Sequence, residues 1–204
     1  MLDDCMSHWK PIVCFTELIE TYLPFGGSVM EVGCFTGDTT LSYAPIVKSR
    51  HGHVFLVDWF MGNEESPSET YHGYKRLPSN TVKSILEYRL RQTGCMDITT
   101  IIDAKSDIAI EDDKLKNKKF DIIFIDADHT YEGVMKDLNN YFGLVKEGGI
   151  FCGHDYAHEG VKLAVDKFFS SKNKAVTILE DPKGQIQPVW VVKFDFPGMR
   201  CRLI

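Results

Sequence analysis

Seven short apolar runs, at 28–32, 54–57, 98–102, 120–125, 150–152, 176–179 and 189–194, recur along the chain, and helix-like stretches separate the earlier ones. A strand that is apolar without interruption must be covered on both faces, and parallel neighbours need a crossover connection. The pattern therefore predicts an α/β fold built on a doubly wound, mainly parallel sheet. Only Asp181-Pro182-Lys183-Gly184 and a few polar residues part the last two runs, which predicts a C-terminal antiparallel hairpin. At the other end, apolar residues from Trp9 to Leu23 fall at helical spacing until Pro24-Phe25-Gly26-Gly27 stops them, so a helix is expected over 8–23.

With 204 residues, 44% of them hydrophobic and 25% charged, the chain has the size and composition of one globular domain. That domain is expected over 1–204, with its core over 28–196. Twenty-three Lys and Arg stand against 29 Asp and Glu, and the net charge of -6 supplies no field for phosphate backbones or anionic lipid. Neither nucleic acid nor membrane is the expected partner, whereas a small-molecule acceptor is; association into a homo-oligomer stays open. Six cysteines, Cys5, Cys14, Cys34, Cys95, Cys152 and Cys201, form no CxxC pair and read as reduced thiols. The N-terminus, Met1-Leu2-Asp3-Asp4, lacks the basic-then-apolar layout of a signal peptide, and a cytoplasmic location is expected. Residues 61–80 form the one long irregular stretch, read as a lid loop in which Tyr71, His72, Tyr74, Lys75 and Arg76 offer stacking and anion contacts.

After the first strand comes Glu31-Val32-Gly33-Cys34-Phe35-Thr36-Gly37-Asp38, followed by a helix. Gly33 permits a tight turn with close backbone approach, and Gly37 lets the helix begin against a ligand. The loop is neither G-x-G-x-x-G nor a phosphate-binding loop ending in Gly-Lys-Ser/Thr, which disfavours dinucleotides and nucleoside triphosphates. The second strand ends in Asp58-Trp59, where a carboxylate suits vicinal ribose hydroxyls.

The densest chemistry follows the fourth and fifth strands. Asp126-Ala127-Asp128-His129-Thr130-Tyr131-Glu132 comes directly after the run at 120–125, and His154-Asp155-Tyr156 follows the run at 150–152. Neighbouring strands lie about 4.8 Å apart, so Asp126 and Asp155 are expected to converge on one cation through oxygen ligands. His129 and His154 are candidates for proton removal from a substrate. Glu132 favours the positive end of the next helix, and Asp137, further along it, is expected to be structural.

The glycine spacing E-x-G-x-x-x-G resembles motif I of class I S-adenosylmethionine (SAM)-dependent methyltransferases. The joint pattern D-A-D-H-T-Y-E-G-V, then D-L, L-V-K-E-G-G and G-H-D-Y, is similar to the small methyltransferase-domain group related to catechol O-methyltransferase and the macrocin-type sugar O-methyltransferases. The resemblance spans about 28–166. It implies a Rossmann-like sheet and SAM contacts at Glu31, Gly33, Cys34, Phe35, Thr36, Gly37, Asp58, Trp59 and Asp126, with Ala104, Lys105 and Ser106 at the adenine edge. In metal-dependent relatives a cation, often Mg²⁺, is held by an aspartate after strand four and an Asp-Asp or Asp-Asn pair after strand five. Those positions correspond to Asp126, His154 and Asp155, and His154 departs from the pattern. His154 is thus open as a general base, a ligand to a softer metal or a loop hydrogen-bonding group. The reaction implied is methylation of a hydroxyl oxygen. Two alternatives are an oxygenase of the cephalosporin hydroxylase-like type, with a facial triad drawn from His129, His154 and Asp126, and a SAM- or nucleoside-binding module without chemistry.

Overall fold

A computed structural model describes residues 12–61, 70–71, 74–75, 79–181 and 187–194. In chain order its elements are α1 (Val13–Tyr22), β1 (Ser28–Val32), α2 (Asp38–Ser49), β2 (His53–Asp58), β3 (Thr70–Tyr71), β4 (Tyr74–Lys75), α3 (Ser79–Gln92), β5 (Thr99–Asp103), α4 (Ser106–Ala109), β6 (Phe120–Ile125), α5 (Tyr131–Phe142), β7 (Val145–Gly153), α6 (Glu159–Ser170), β8 (Thr177–Leu179) and β9 (Val189–Lys193).

Successive strand residues point to opposite faces, and this period of two divides the core. On one face Val29 of β1 joins Leu56 of β2 and Phe124 of β6 beneath α1, α2 and α3. On the other, Met30 and Val32 join Phe55, Val57, Ile123 and Ile125 beneath α4, α5 and α6. Phe15, Leu18 and Ile19 of α1 are buried at i, i+3 and i+4, and Phe15 stacks on Phe124 with ring centroids 4.0 Å apart. Each such side chain contributes roughly 1.5–3 kcal/mol of burial. The far end of α1 is closed by Arg50, whose guanidinium donates to the carbonyls of Ile19, Glu20 and Leu23.

One seven-stranded sheet has the order β5-β2-β1-β6-β7-β9-β8. The first five strands are parallel, and β9 runs antiparallel to both β7 and β8. The chain moves outward from β1 in one direction and from β6 in the other. Open α/β sheets bind ligands outside the carboxyl ends of the strands at this reversal. The sheet is the expected Rossmann-like, mainly parallel one with its C-terminal hairpin.

Boundaries differ where polar residues interrupt the apolar signal. β7 begins at Val145 rather than 150, because Lys146 and Glu147 belong to a strand whose register with β6 shifts between Phe120 and Ile122. Of the expected N-terminal helix, 8–11 lie outside the described residues, as do 62–69, 72–73 and 76–78 of the expected lid, including His72 and Arg76. Among the described residues no helix is long and apolar enough to cross a membrane.

Candidate active site at the carboxyl edge of the sheet

A cleft opens where β1, β2, β5 and β6 end. Gly33, the first residue past β1, has φ 89°, and its N–H donates to the Val57 carbonyl at 2.8 Å. A Cβ at this position would stand 2.0 Å from the carbonyl oxygen of Asp126. Glycine is therefore required for the β1 loop to lie against the end of β6, and that approach puts Asp126 in the cleft wall. The loop is then tied to β2. Asp58 accepts the Phe35 N–H on Oδ2 at 2.7 Å and the Phe60 N–H on Oδ1 at 2.6 Å. Burial raises the Asp58 pKa, and the N–H groups of Phe35, Phe60 and Cys34 oppose that rise. From α3, Arg89 braces the same loop through the Thr36 carbonyl at 2.9 Å and Asp38 at 2.7 Å.

Of the residues expected at the cofactor, Gly33, Phe35, Asp58, Trp59, Ala104, Lys105, Ser106 and Asp126 line this cleft together. Lys105 Nζ lies 4.5 Å above the centre of the Trp59 ring, a cation–π contact on the cleft wall. Glu31, Cys34, Thr36 and Gly37 are not among the lining residues. Strand alternation explains the first: Glu31 shares the face of Val29 and points under α2, where it accepts from Thr40 at 2.6 Å and Tyr43 at 2.8 Å. Burial pushes its pKa up to about 8, against the hydrogen bonds from those two hydroxyls. Cys34 is buried in the same core, Thr36 donates to Asp38 at 3.2 Å, and Gly37 forms the left-handed N-cap of α2 at φ 87°. Asp103 turns away to an exposed ion pair with Lys83 at 2.8 Å.

Sequence reasoning missed the wall contributed by α5. Gly133, Lys136 and Asp137 line the cleft with Asp107 and Asp128. Thr130 starts this helix by accepting the Gly133 N–H at 3.0 Å. Asp137 follows Gly133 by one turn and so shares its face, which is the signal that would have found it. Its residue is 1% exposed, and neither carboxyl oxygen has a hydrogen-bond partner among the described residues. Burial raises its pKa to about 7; the nearby Ser106 side chain favours the ionised form without reaching hydrogen-bonding geometry, and Asp128 and Asp107 push it further up.

Beside the cleft, and sharing Asp126, Ala127 and Asp128 with it, a small hollow is lined by His129, His154 and Asp155. The His154 N–H donates to the Ile125 carbonyl at 3.0 Å, holding the end of β7 against β6, and Asp155 then turns through a left-handed φ of 55°. These constraints bring two carboxylates and two imidazoles together. His154 Nδ1 stands 3.3 Å from Asp155 Oδ2 and 3.5 Å from Asp126 Oδ1. His129 Nε2 meets Asp155 Oδ2 at 2.9 Å. Burial disfavours the charged form of His154, but Asp126 and Asp155 outweigh it and push its pKa up to about 10. His129 is raised as well, chiefly by its hydrogen bond to Asp155 and in spite of burial. Burial alone would raise Asp155, yet the two imidazoles hold it well below the usual carboxylate range.

Two carboxylates brought this close would repel, and the His154 imidazole stands between Asp126 and Asp155. One ligand atom from each of Asp126, His154 and Asp155 also lies within 4.8 Å of the others, a set able to hold a metal ion. It contains one histidine and two carboxylates. His129, 2.9 Å from Asp155, stands beside that set without belonging to it.

A family profile described as "Methyltransferase domain" matches residues 30–156. An O-methyltransferase from Bacillus cereus, solved in complex with S-adenosylhomocysteine (SAH), is similar in structure with a TM-score of 0.65 at 15% identity, over 94% of this chain and 86% of that one. An rRNA methylase from Streptococcus thermophilus is similar with a TM-score of 0.64 at 12% identity, over 91% of this chain and 97% of that one. At such identities the structural likeness carries the fold and not the acceptor.

Proposed function

The chain belongs to the methyltransferase-domain family of class I, SAM-dependent enzymes, and from this premise we propose that it is a single-domain enzyme methylating a hydroxyl oxygen of a small acceptor. The observation that carries the proposal is that the cleft and the hollow holding the His129–Asp155 pair share Asp126, Ala127 and Asp128 as lining.

The cleft residues fit SAM. The Asp58 carboxylate is held by the Phe35 and Phe60 N–H groups, one on each oxygen, with the Cys34 N–H beside them, and at the cleft it would accept ribose hydroxyls. Trp59 and Ala104 offer apolar wall to a purine, and the backbone past Gly33 offers close approach. When bound there, SAM supplies an electrophilic methyl group on a sulfonium.

This chain's part is alignment and proton removal. His129 is the base of this proposal. Its Nε2 is committed to Asp155, which fixes the ring and strengthens it as a base, leaving Nδ1 to take the acceptor's hydroxyl proton. His154 serves differently: Asp126 and Asp155 outweigh burial and favour its protonated form, which keeps the two carboxylates compatible. The net charge of -6 supports a small acceptor over nucleic acid.

A second reading rests on the ligand set of Asp126, His154 and Asp155. One nitrogen and two carboxylate oxygens fit Mn²⁺, Fe²⁺ or Zn²⁺ better than Mg²⁺, and loading would have to expel the proton from His154. A cation so held would orient and acidify the acceptor hydroxyl. Transfer of label from tritiated SAM to a panel of phenols, sugars and RNA tests the proposal. Label on hydroxyl oxygen of a small acceptor is the expected result; label on RNA alone would sink it.

A further inference from the structure

The cofactor reading uses the floor of the cleft, formed by strand ends, but leaves unexplained a carboxyl buried in its α5 wall. Asp137 is 1% exposed, lines the cleft and has no hydrogen-bond partner on either oxygen among the described residues. Buried carboxyls without partners are rare, because losing water without gaining a donor costs the full desolvation of the group. The Ser106 side chain lies nearby without reaching hydrogen-bonding geometry. Tyr141, one turn further along α5, spends its hydroxyl on the Ser106 carbonyl at 2.6 Å instead. Lys136, the adjacent residue, has its ammonium 4.0 Å from Asp107.

Position narrows what the missing donor is. Asp137 lies against the Ser106 side of the cleft, whereas Asp58 stands at the end of β2. Trp59, Ala104, Ser106 and Asp137 line one cleft with Asp58, so a purine whose ribose met Asp58 would have Asp137 among its walls. The exocyclic amine of adenine is the group on that base that offers hydrogens and accepts none. We propose that Asp137 is a specificity residue that accepts a hydrogen bond from the 6-amino group of the cofactor's adenine, an inference that rests on the SAM reading above. Ligand binding would then supply the donor that the folded protein withholds, and the helix turn from Gly133 to Asp137 would read the base while the strand ends hold the sugar.

The experiment compares SAH with its 6-deamino analogue, in which hydrogen replaces the amine, by calorimetry at pH 8, above the Asp137 value of about 7. Wild-type protein is expected to prefer SAH by about tenfold to a hundredfold, the range for a hydrogen bond to a charged group. Asp137→Ala should bring the two affinities within about threefold of each other, and Asp137→Leu, which fills the space without an acceptor, should do the same; thermal melts establish that the variants are folded. Equal affinities in wild-type protein, or an undiminished preference in a folded variant, would overturn the assignment while leaving SAM binding intact. Failure of wild-type protein to bind SAH at all would overturn the cofactor reading and this proposal with it.

Discussion

Gly33 and Asp126 touch across the top of the sheet so closely that the smallest side chain on Gly33 would meet the Asp126 carbonyl at 2.0 Å. The contact involves backbone on both sides, so neither partner can swing aside. Gly33→Ala would also place a side chain on a residue with φ 89°. Together the strain and the clash are expected to cost roughly 2–4 kcal/mol of stability. Urea denaturation measures that loss, and SAH affinity should fall with it because the loop must lift off β6. An Ala variant as stable as wild type would show that the two loops can part freely.

Asp58→Ala removes both the anchor of the β1 loop and the proposed ribose acceptor. SAH affinity should drop by about tenfold or more. Calorimetry gives the number directly, and an unchanged Kd would take the ribose away from β2.

His129 and Asp155 should separate catalysis from binding. His129→Gln is expected to lower kcat by about a hundredfold or more while SAH affinity changes less than twofold. The base must be unprotonated to act, and Asp155 raises its pKa, so activity should rise with pH through a midpoint above the ordinary histidine value of about 6.5. Asp155→Asn removes the cause of that shift, and its residual activity should rise at lower pH. A midpoint that stays where it was would assign proton removal to another group.

Chelation distinguishes the two readings of the Asp126–His154–Asp155 set. If His154 holds its proton, dialysis against EDTA leaves methyl transfer and melting temperature within error of the untreated protein. Activity lost to EDTA and restored by Mn²⁺, Fe²⁺ or Zn²⁺ would instead establish the metal reading.

Glu31 gives a stability profile with a definite sign. Its folded pKa of about 8 lies above the value near 4.3 of an unfolded glutamate. Between those limits the folded state holds the extra proton, so this group's contribution is complete below about pH 4 and is lost as pH rises towards 8. Glu31→Gln keeps an acceptor for Thr40 and Tyr43 but cannot ionise. Denaturation midpoints at pH 5, 6.5 and 8 should therefore decline less steeply in the variant than in wild type, and parallel profiles would show that Glu31 does not titrate in this range.

What could be read in the residues themselves was decided by periodicity. The run at 120–125 coincides with β6 because every residue but Asp121 is apolar, and the strand end that carries Asp58 lies at the cleft. The motif position of Glu31 says nothing about which face of β1 it occupies, and alternation sends it beneath α2 rather than into the cleft lining. Asp137 escaped for the opposite reason. A lone aspartate in a helix reads as structural, and only the phase of α5 against the sheet places it in the cleft wall. The histidine contacts also depend on the sheet: His129 and Asp155 are 26 positions apart in the chain and meet because β6 and β7 are paired, with Ile125 opposite Gly153.

The placing of Trp190 bears on when the site can assemble. A Cβ on Gly153, the residue before His154, would come within 2.5 Å of the Trp190 ring, so β9 is pressed directly against the end of β7. Every residue of the histidine and carboxylate cluster leaves the ribosome before β9 does. Until Val189–Lys193 has emerged and inserted between β7 and β8, the turn carrying His154 and Asp155 has an open edge at its back. A chain that ends before Val189 would thus carry every residue of the cluster and still lack the strand that backs it.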